Sequence, residues 1–155
     1  MMNPLLPRRI DNTYRGHKLA LWIFAFVVTL KFLQGLLAVF NGSYIASSAD
    51  GIPLDTFTSA AAQTIVAIFA LLGYSNLIIA LLCALVFVRY RSLISFMFAL
   101  LMLNFLAKEL ILHFIPLVRT ATAPGPAVNL ILFSLMIVGL ALSLWSRRDL
   151  QAQSH

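Results

Sequence analysis

Charge is what this chain has least of. Asp, Glu, Lys and Arg make up 10% of its 155 residues, against about 25% in a typical soluble domain. Acidic residues are the scarcer kind, five in all against eleven Lys and Arg. Cysteine is nearly absent as well. Cys83 stands alone, so an intramolecular disulfide and a thiolate metal cluster are both excluded. Lying inside an apolar run, it reads as a buried, inert thiol. The chain also lacks a Gly-rich phosphate loop, a Gly-x-Ser-x-Gly elbow, a His-Glu-x-x-His pair and a CxxC pair, so no motif names a reaction.

What the chain does have is apolar surface. Hydrophobic residues account for 61% of it and the mean hydropathy is +0.95. A soluble fold of this length has too little interior to hide that much. A cytosolic enzyme, a disordered tail and a secreted disulfide scaffold are therefore excluded, and lipid is the expected solvent.

Hydrocarbon about 30 Å thick needs about 20 apolar residues in a helix. Four runs meet that length, at about 19–40, 59–88, 92–114 and 128–145. They predict an all-α, four-transmembrane-helix bundle with short loops, preceded by a basic segment, 1–18, and followed by a tail, 146–155. The first run stops at Asn41-Gly42, the third before Pro116, and Pro124-Gly125-Pro126 reads as a breaker ahead of the fourth. Asp55, after Pro53, reads as an N-cap for the second, which would then span about 50 Å as one long helix with an irregularity near Gly73.

Basic residues orient the bundle. Segments 1–18, 89–91 and 146–155 carry eight Lys and Arg between them, whereas loops 41–58 and 115–127 carry only Arg119. Both termini are thus expected in the cytoplasm. Trp22, Tyr90 and Trp145, with Tyr14, mark the same boundary as an aromatic belt. The apolar stretch before Ser47-Ser48-Ala49 is too long for a cleaved signal peptide and contains Lys31. Nothing alternates basic and aromatic residues as a nucleic-acid platform would, so the net charge of +6 reads as topology and no nucleic-acid partner is expected.

Ionisable groups at depth are costly and face protein or a cavity. Lys31, Lys108 and Glu109 lie within the runs, with His113 near the outer boundary. From helix rise, Lys31, Asn76, Asn104 and Ser134 all fall about 18 Å from the cytoplasmic end, one per helix. Asn104 and Lys108 share one face of the third run; Glu109 and His113 share another, about 100° away. The candidate intramembrane polar cluster is accordingly Lys31, Asn76, Asn104, Lys108, Glu109 and His113. Within it a Lys31–Glu109 pair is expected, with Lys108 reaching outward. Gly73, Asn76, Ala80 and Ala84 on the second run, and Gly139 with Ser143 on the fourth, mark helix contacts. No catalytic residue, metal site or cofactor is implied. A haem on His113 would lack a second histidine at its depth, and Asp50 and Asp55 read as turn and cap residues.

Two functions come first, the leading expectation and its alternative, in that order. One is a non-enzymatic helix bundle that associates with a partner membrane protein or with further copies of itself. The other is a small solute or proton-coupled transporter, working as an oligomer through the Lys/Glu/Asn cluster. A membrane redox or lipid-modifying role is a third. The bilayer of a plasma membrane, of the bacterial inner-membrane kind, is the expected location.

Overall fold

The computed structural model describes residues 12, 14, 16–119 and 123–152, with 146–152 as backbone only. The described residues form helices and no strands. Four helices are long and apolar enough to cross a membrane: α1, Lys18–Phe40; α2, Ser59–Arg89; α3, Ile94–Phe114; and α4, Pro124–Ala152. Their order around the bundle follows the chain. α1 lies between α2 and α4, α3 packs on α4, and α1 and α3 are diagonal. One end carries Lys18, Arg89 and Arg91, and is called the basic end here; the other carries the long connections and is called the loop end.

Local chemistry sets the helix boundaries. α1 begins where the His17 side chain accepts a hydrogen bond from the Leu19 N–H, through Nδ1, at 3.2 Å. α2 is capped by the Thr58 hydroxyl, which accepts from the Ala61 N–H. Asp55, expected in that role, sits instead in a 3-10 turn, Leu54–Thr56, one turn upstream. The helix then runs unbroken through Gly73. α3 is entered through a 3-10 turn, Arg91–Leu93, after a single non-helical residue, Tyr90. Arg91 pins that turn: its Nε donates to the Phe87 carbonyl, and its guanidinium lies over the Phe87 ring.

Pro124-Gly125-Pro126 does not break the chain but starts α4. First-turn N–H groups have no helical partner, so prolines there sacrifice nothing and their φ already suits a helix. The 41–58 connection is also more ordered than a plain loop. After Asn41 the chain makes one helical turn, Gly42–Tyr44, and a π-turn, Ile45–Ala49. It reverses at Gly51, whose φ of 73° favours glycine.

Packing differs from one end to the other. Ala46 is buried in the loop-end connection, but most of the fully buried core lies toward the basic end, with Phe24 and Val27 of α1, Cys83 of α2, and Ile94 and Phe98 of α3. There Phe24 meets Phe98 edge-on at 5.1 Å and Phe87 at 6.3 Å, and buried Ser95 and Ser143 share a hydrogen bond between α3 and α4. Toward the loop end α3 buries no residue after Leu101. α2 and α3 contact each other little beyond their connecting turn. α1 and α2 stay close at that end because Gly35 and Gly73 face each other. A Cβ on Gly73 would meet Ala38 Cβ at 2.6 Å and the Gly35 carbonyl at 2.9 Å. Small residues let helix backbones approach in this way. Of the contact residues read from sequence, Gly73, Ala80, Gly139 and Ser143 are buried, whereas Ala84 is exposed.

Candidate functional site

The polar residues of the four helices converge in the loop-end half. Lys31 lies nine residues before the end of α1, about 13 Å along the axis, and Lys108 six before the end of α3, about 9 Å. Lys31 Nζ donates to Asn129 Oδ1 of α4 at 3.2 Å. Lys108 Nζ donates to Asn76 Oδ1 of α2 at 3.0 Å. All four side chains are half-buried, and the two ammonium groups lie within electrostatic reach of each other. Each helix thus contributes one member to a single layer, and the Lys108–Asn76 bond spans the sparse α2–α3 side.

The expected Lys31–Glu109 pair does not form. It needed α1 beside α3, and these helices are diagonal. Glu109 follows Lys108 on α3, so it is turned about 100° away. With Lys108 directed at α2, Glu109 is exposed. His113, one turn on, is exposed too, its ring edge against Phe114. The two-face reading of α3 therefore stands, but the face that enters the bundle is the Asn104–Lys108 one. Lys108 does not reach outward to water; a neutral amide holds it. Asn104 is half-buried one turn from Lys108, with no side-chain bond to a described residue. Ser134 is exposed and its hydroxyl donates to the Leu130 carbonyl of its own helix. Lys31, Asn76 and Lys108 are brought together; Glu109, His113 and Ser134 are not.

Asn129 is the member that the sequence reading missed. A helix that begins near Val128, after Pro124-Gly125-Pro126 as a breaker, leaves Asn129 at its boundary and outside the candidate cluster. The prolines as helix starters were the signal that puts it more than one turn inside. Asp50 was missed as well. Its carboxylate ends the π-turn beside the start of α4, 2.9 Å from where a Gly125 Cβ would stand. It is half-buried, within electrostatic reach of Lys108 and Arg119. Burial raises its pKa above the ordinary carboxylate value, and the two cations oppose that shift. No Lys or Arg ammonium or guanidinium lies within ion-pair distance of a carboxylate among the described residues. No group of three His, Cys, Asp or Glu there suits a metal ion.

Farther out, the connection itself encloses a concavity of about 510 Å³, walled by Ser43, Tyr44, Ser47 and Gly51 to Asp55. The Ser47 and Thr56 hydroxyls donate to backbone carbonyls of the same segment, which is the turn-forming role their positions suggest. Comparison with protein-family models, with curated proteins and with solved structures finds no match.

Proposed function

We propose that the chain is a multi-pass protein of the plasma membrane, of the bacterial inner-membrane kind. Both termini are cytoplasmic, and the chain carries a small polar solute without catalysing a reaction. One observation carries this reading: two lysines from different helices meet inside the bundle against neutral amides, with no carboxylate in direct contact. A layer that served helix register alone would be cheaper with uncharged partners on both sides, because each desolvated charge costs several kcal/mol. Intramembrane charge of this kind marks solute and ion pathways in membrane proteins. The sparse α2–α3 side gives the layer room to open.

Four helices enclose little space, so the carrier is an oligomer in this reading. The test is uptake into proteoliposomes of neutral, cationic and anionic solutes. Uptake of one class above that of protein-free vesicles, reduced by Lys108→Gln, is the expected result; no uptake of any class would refute the carrier.

A second reading, helix association with a partner membrane protein, is favoured by α2. Only 11% of its most apolar window is buried, the least of the four helices. Site-specific photocrosslinking from Leu72 or Leu85, both exposed on α2, tests it: a discrete heterologous adduct supports association, and lipid adducts alone refute it.

A further inference from the structure

We propose that the Lys31–Lys108 layer is an oxyanion site, made for a carboxylate or phosphate group and entered from the loop end past Arg119 and Asp50. The inference rests on the carrier reading and names its solute class.

Hydrogen-bond inventory is the first argument. An ammonium has three N–H donors and cannot accept, so the amide atom facing each lysine must be the oxygen. That fixes the orientation of both asparagines. Each Oδ1 is committed to an ammonium, which turns both Nδ2 groups, with two N–H donors each, to other partners. Each lysine has two N–H left as well. The layer is therefore rich in donors and poor in acceptors. Each amide oxygen keeps a second lone pair, but the free donors outnumber these and the two ammonium charges repel a cation. A group with two or more anionic oxygens meets both the charge and the donors, and charge-assisted bonds of that kind are the strong ones.

Charge balance is the second. Lys31 and Lys108 repel each other across the layer, and Glu109 on the neighbouring face is exposed. Asp50 lies within electrostatic reach of Lys108 and of Arg119. Lys31 and Lys108 lie within the helices, whereas Asp50 and Arg119 belong to the two long connections at the loop end. Two interior cations face one tethered anion, which leaves a net positive charge in a low-dielectric region. An incoming oxyanion neutralises it. Arg119 is the only Lys or Arg in either long connection, and it lies within electrostatic reach of Asp50.

The test uses the full chain and an Asn129→Asp variant, which places a permanent carboxylate beside Lys31. It is preferred to lysine removal, because losing a lysine risks the fold. Proteoliposomes of phosphatidylcholine are assayed for uptake of inorganic phosphate, succinate, rubidium and xylitol. Unfolding temperature is read separately in phosphatidylcholine nanodiscs, with and without phosphatidic acid. The expected result is phosphate or succinate uptake that falls about tenfold or more in Asn129→Asp, while the variant unfolds at a higher temperature than the parent. Stabilisation of the parent by phosphatidic acid alone, lost in the variant, also supports the oxyanion site and identifies a lipid headgroup as the source. Rubidium or xylitol uptake without anion uptake overturns this inference and leaves the carrier standing. An Asn129→Asp protein that is less stable than the parent overturns it too. No uptake of any solute, together with no stabilisation by any anion, overturns both.

Discussion

Toward the basic end the four helices meet through Phe24, Cys83, Phe98 and Met136; toward the loop end the same helices meet through Lys31, Asn76, Lys108 and Asn129. The first region is dry, with Phe24, Cys83 and Phe98 wholly buried. The second is half-buried throughout, and α3 contributes no buried residue to it. In the bilayer proposed above, the apolar region would have no hydrophobic drive to assemble, because hydrocarbon is as good a solvent for Phe as another Phe is. What holds it is close packing and the Ser95–Ser143 bond. The polar region has the reverse problem. In that bilayer its groups would be costly in contact with hydrocarbon, and meeting across the bundle would lower the cost. One end is thus closely packed around an apolar core, whereas at the other α1 and α2 approach closely at Gly35 and Gly73 while the α2–α3 side is sparse around a charged layer.

Substitution of Gly73 should disturb that comparison most, since it joins both regions. The atoms a side chain would strike are Ala38 Cβ and the Gly35 backbone, neither of which can rotate away. Gly73→Leu should therefore part α1 from α2 at a cost of about 3 kcal/mol or more, at the upper end for an overpacked contact. Size-exclusion chromatography and thermal unfolding in nanodiscs measure it. A Gly73→Leu protein as stable as the parent would mean that the helices are not clamped there.

Next come two substitutions whose effects should cross. Phe24→Ala opens a cavity between α1, α2 and α3. In a water-soluble core that loss runs to about 3–5 kcal/mol, but with lipid as the alternative solvent about 2 kcal/mol is expected. Its stabilisation by anions should be retained. Asn129→Asp should do the opposite, gaining stability and losing the anion response. If both traits fall together in either variant, the two regions are not separable. Ser95→Ala is smaller still: an interhelical hydroxyl bond in a membrane bundle contributes about 0.6 kcal/mol, read as a slight fall in unfolding temperature with uptake unchanged.

Much of this arrangement was legible in the sequence. Run lengths placed α1 and α2 to within a residue, because hydrophobic length is imposed by the solvent and not by neighbours. Helix rise groups Lys31 and Asn76 with Asn104 and Ser134, whereas in the structure Ser134 is exposed and bonded to its own helix, and Lys108 and Asn129 are the partners. The partners of the lysines were not legible, since they depend on which helices are adjacent, and nothing in a single sequence states that. Glu109 was chosen for Lys31 on charge and depth, and both criteria were met by a residue on the outward face. Rotation of α3 decides the matter, and that rotation is set by Ile94, Phe98 and Leu101 at the far end of the helix. The Pro124-Gly125-Pro126 stretch failed for a local reason: proline stops a helix from within but starts one at its first turn.

The smallest effect concerns Asp50, which lies between the two regions' logics as a charge outside the spans that answers to charges inside them. Lys108 of α3 and Arg119 of the following connection face it, and its burial outweighs their attraction, so its pKa is raised. A carboxyl whose pKa is higher in the folded state binds its proton more tightly there than in the unfolded chain. Its stabilising contribution is complete below the ordinary carboxylate pKa, about 4, and is lost as pH rises through the folded value. The parent should therefore lose a little stability with rising pH in that window, and Asp50→Asn should flatten the slope in unfolding scans taken across it. The same substitution removes the tethered anion facing Lys108. At neutral pH it should then bind inorganic phosphate or succinate more tightly than the parent, as a half-saturation concentration in the uptake assay. Weaker binding would place Asp50 among the groups that hold the solute instead of competing with it.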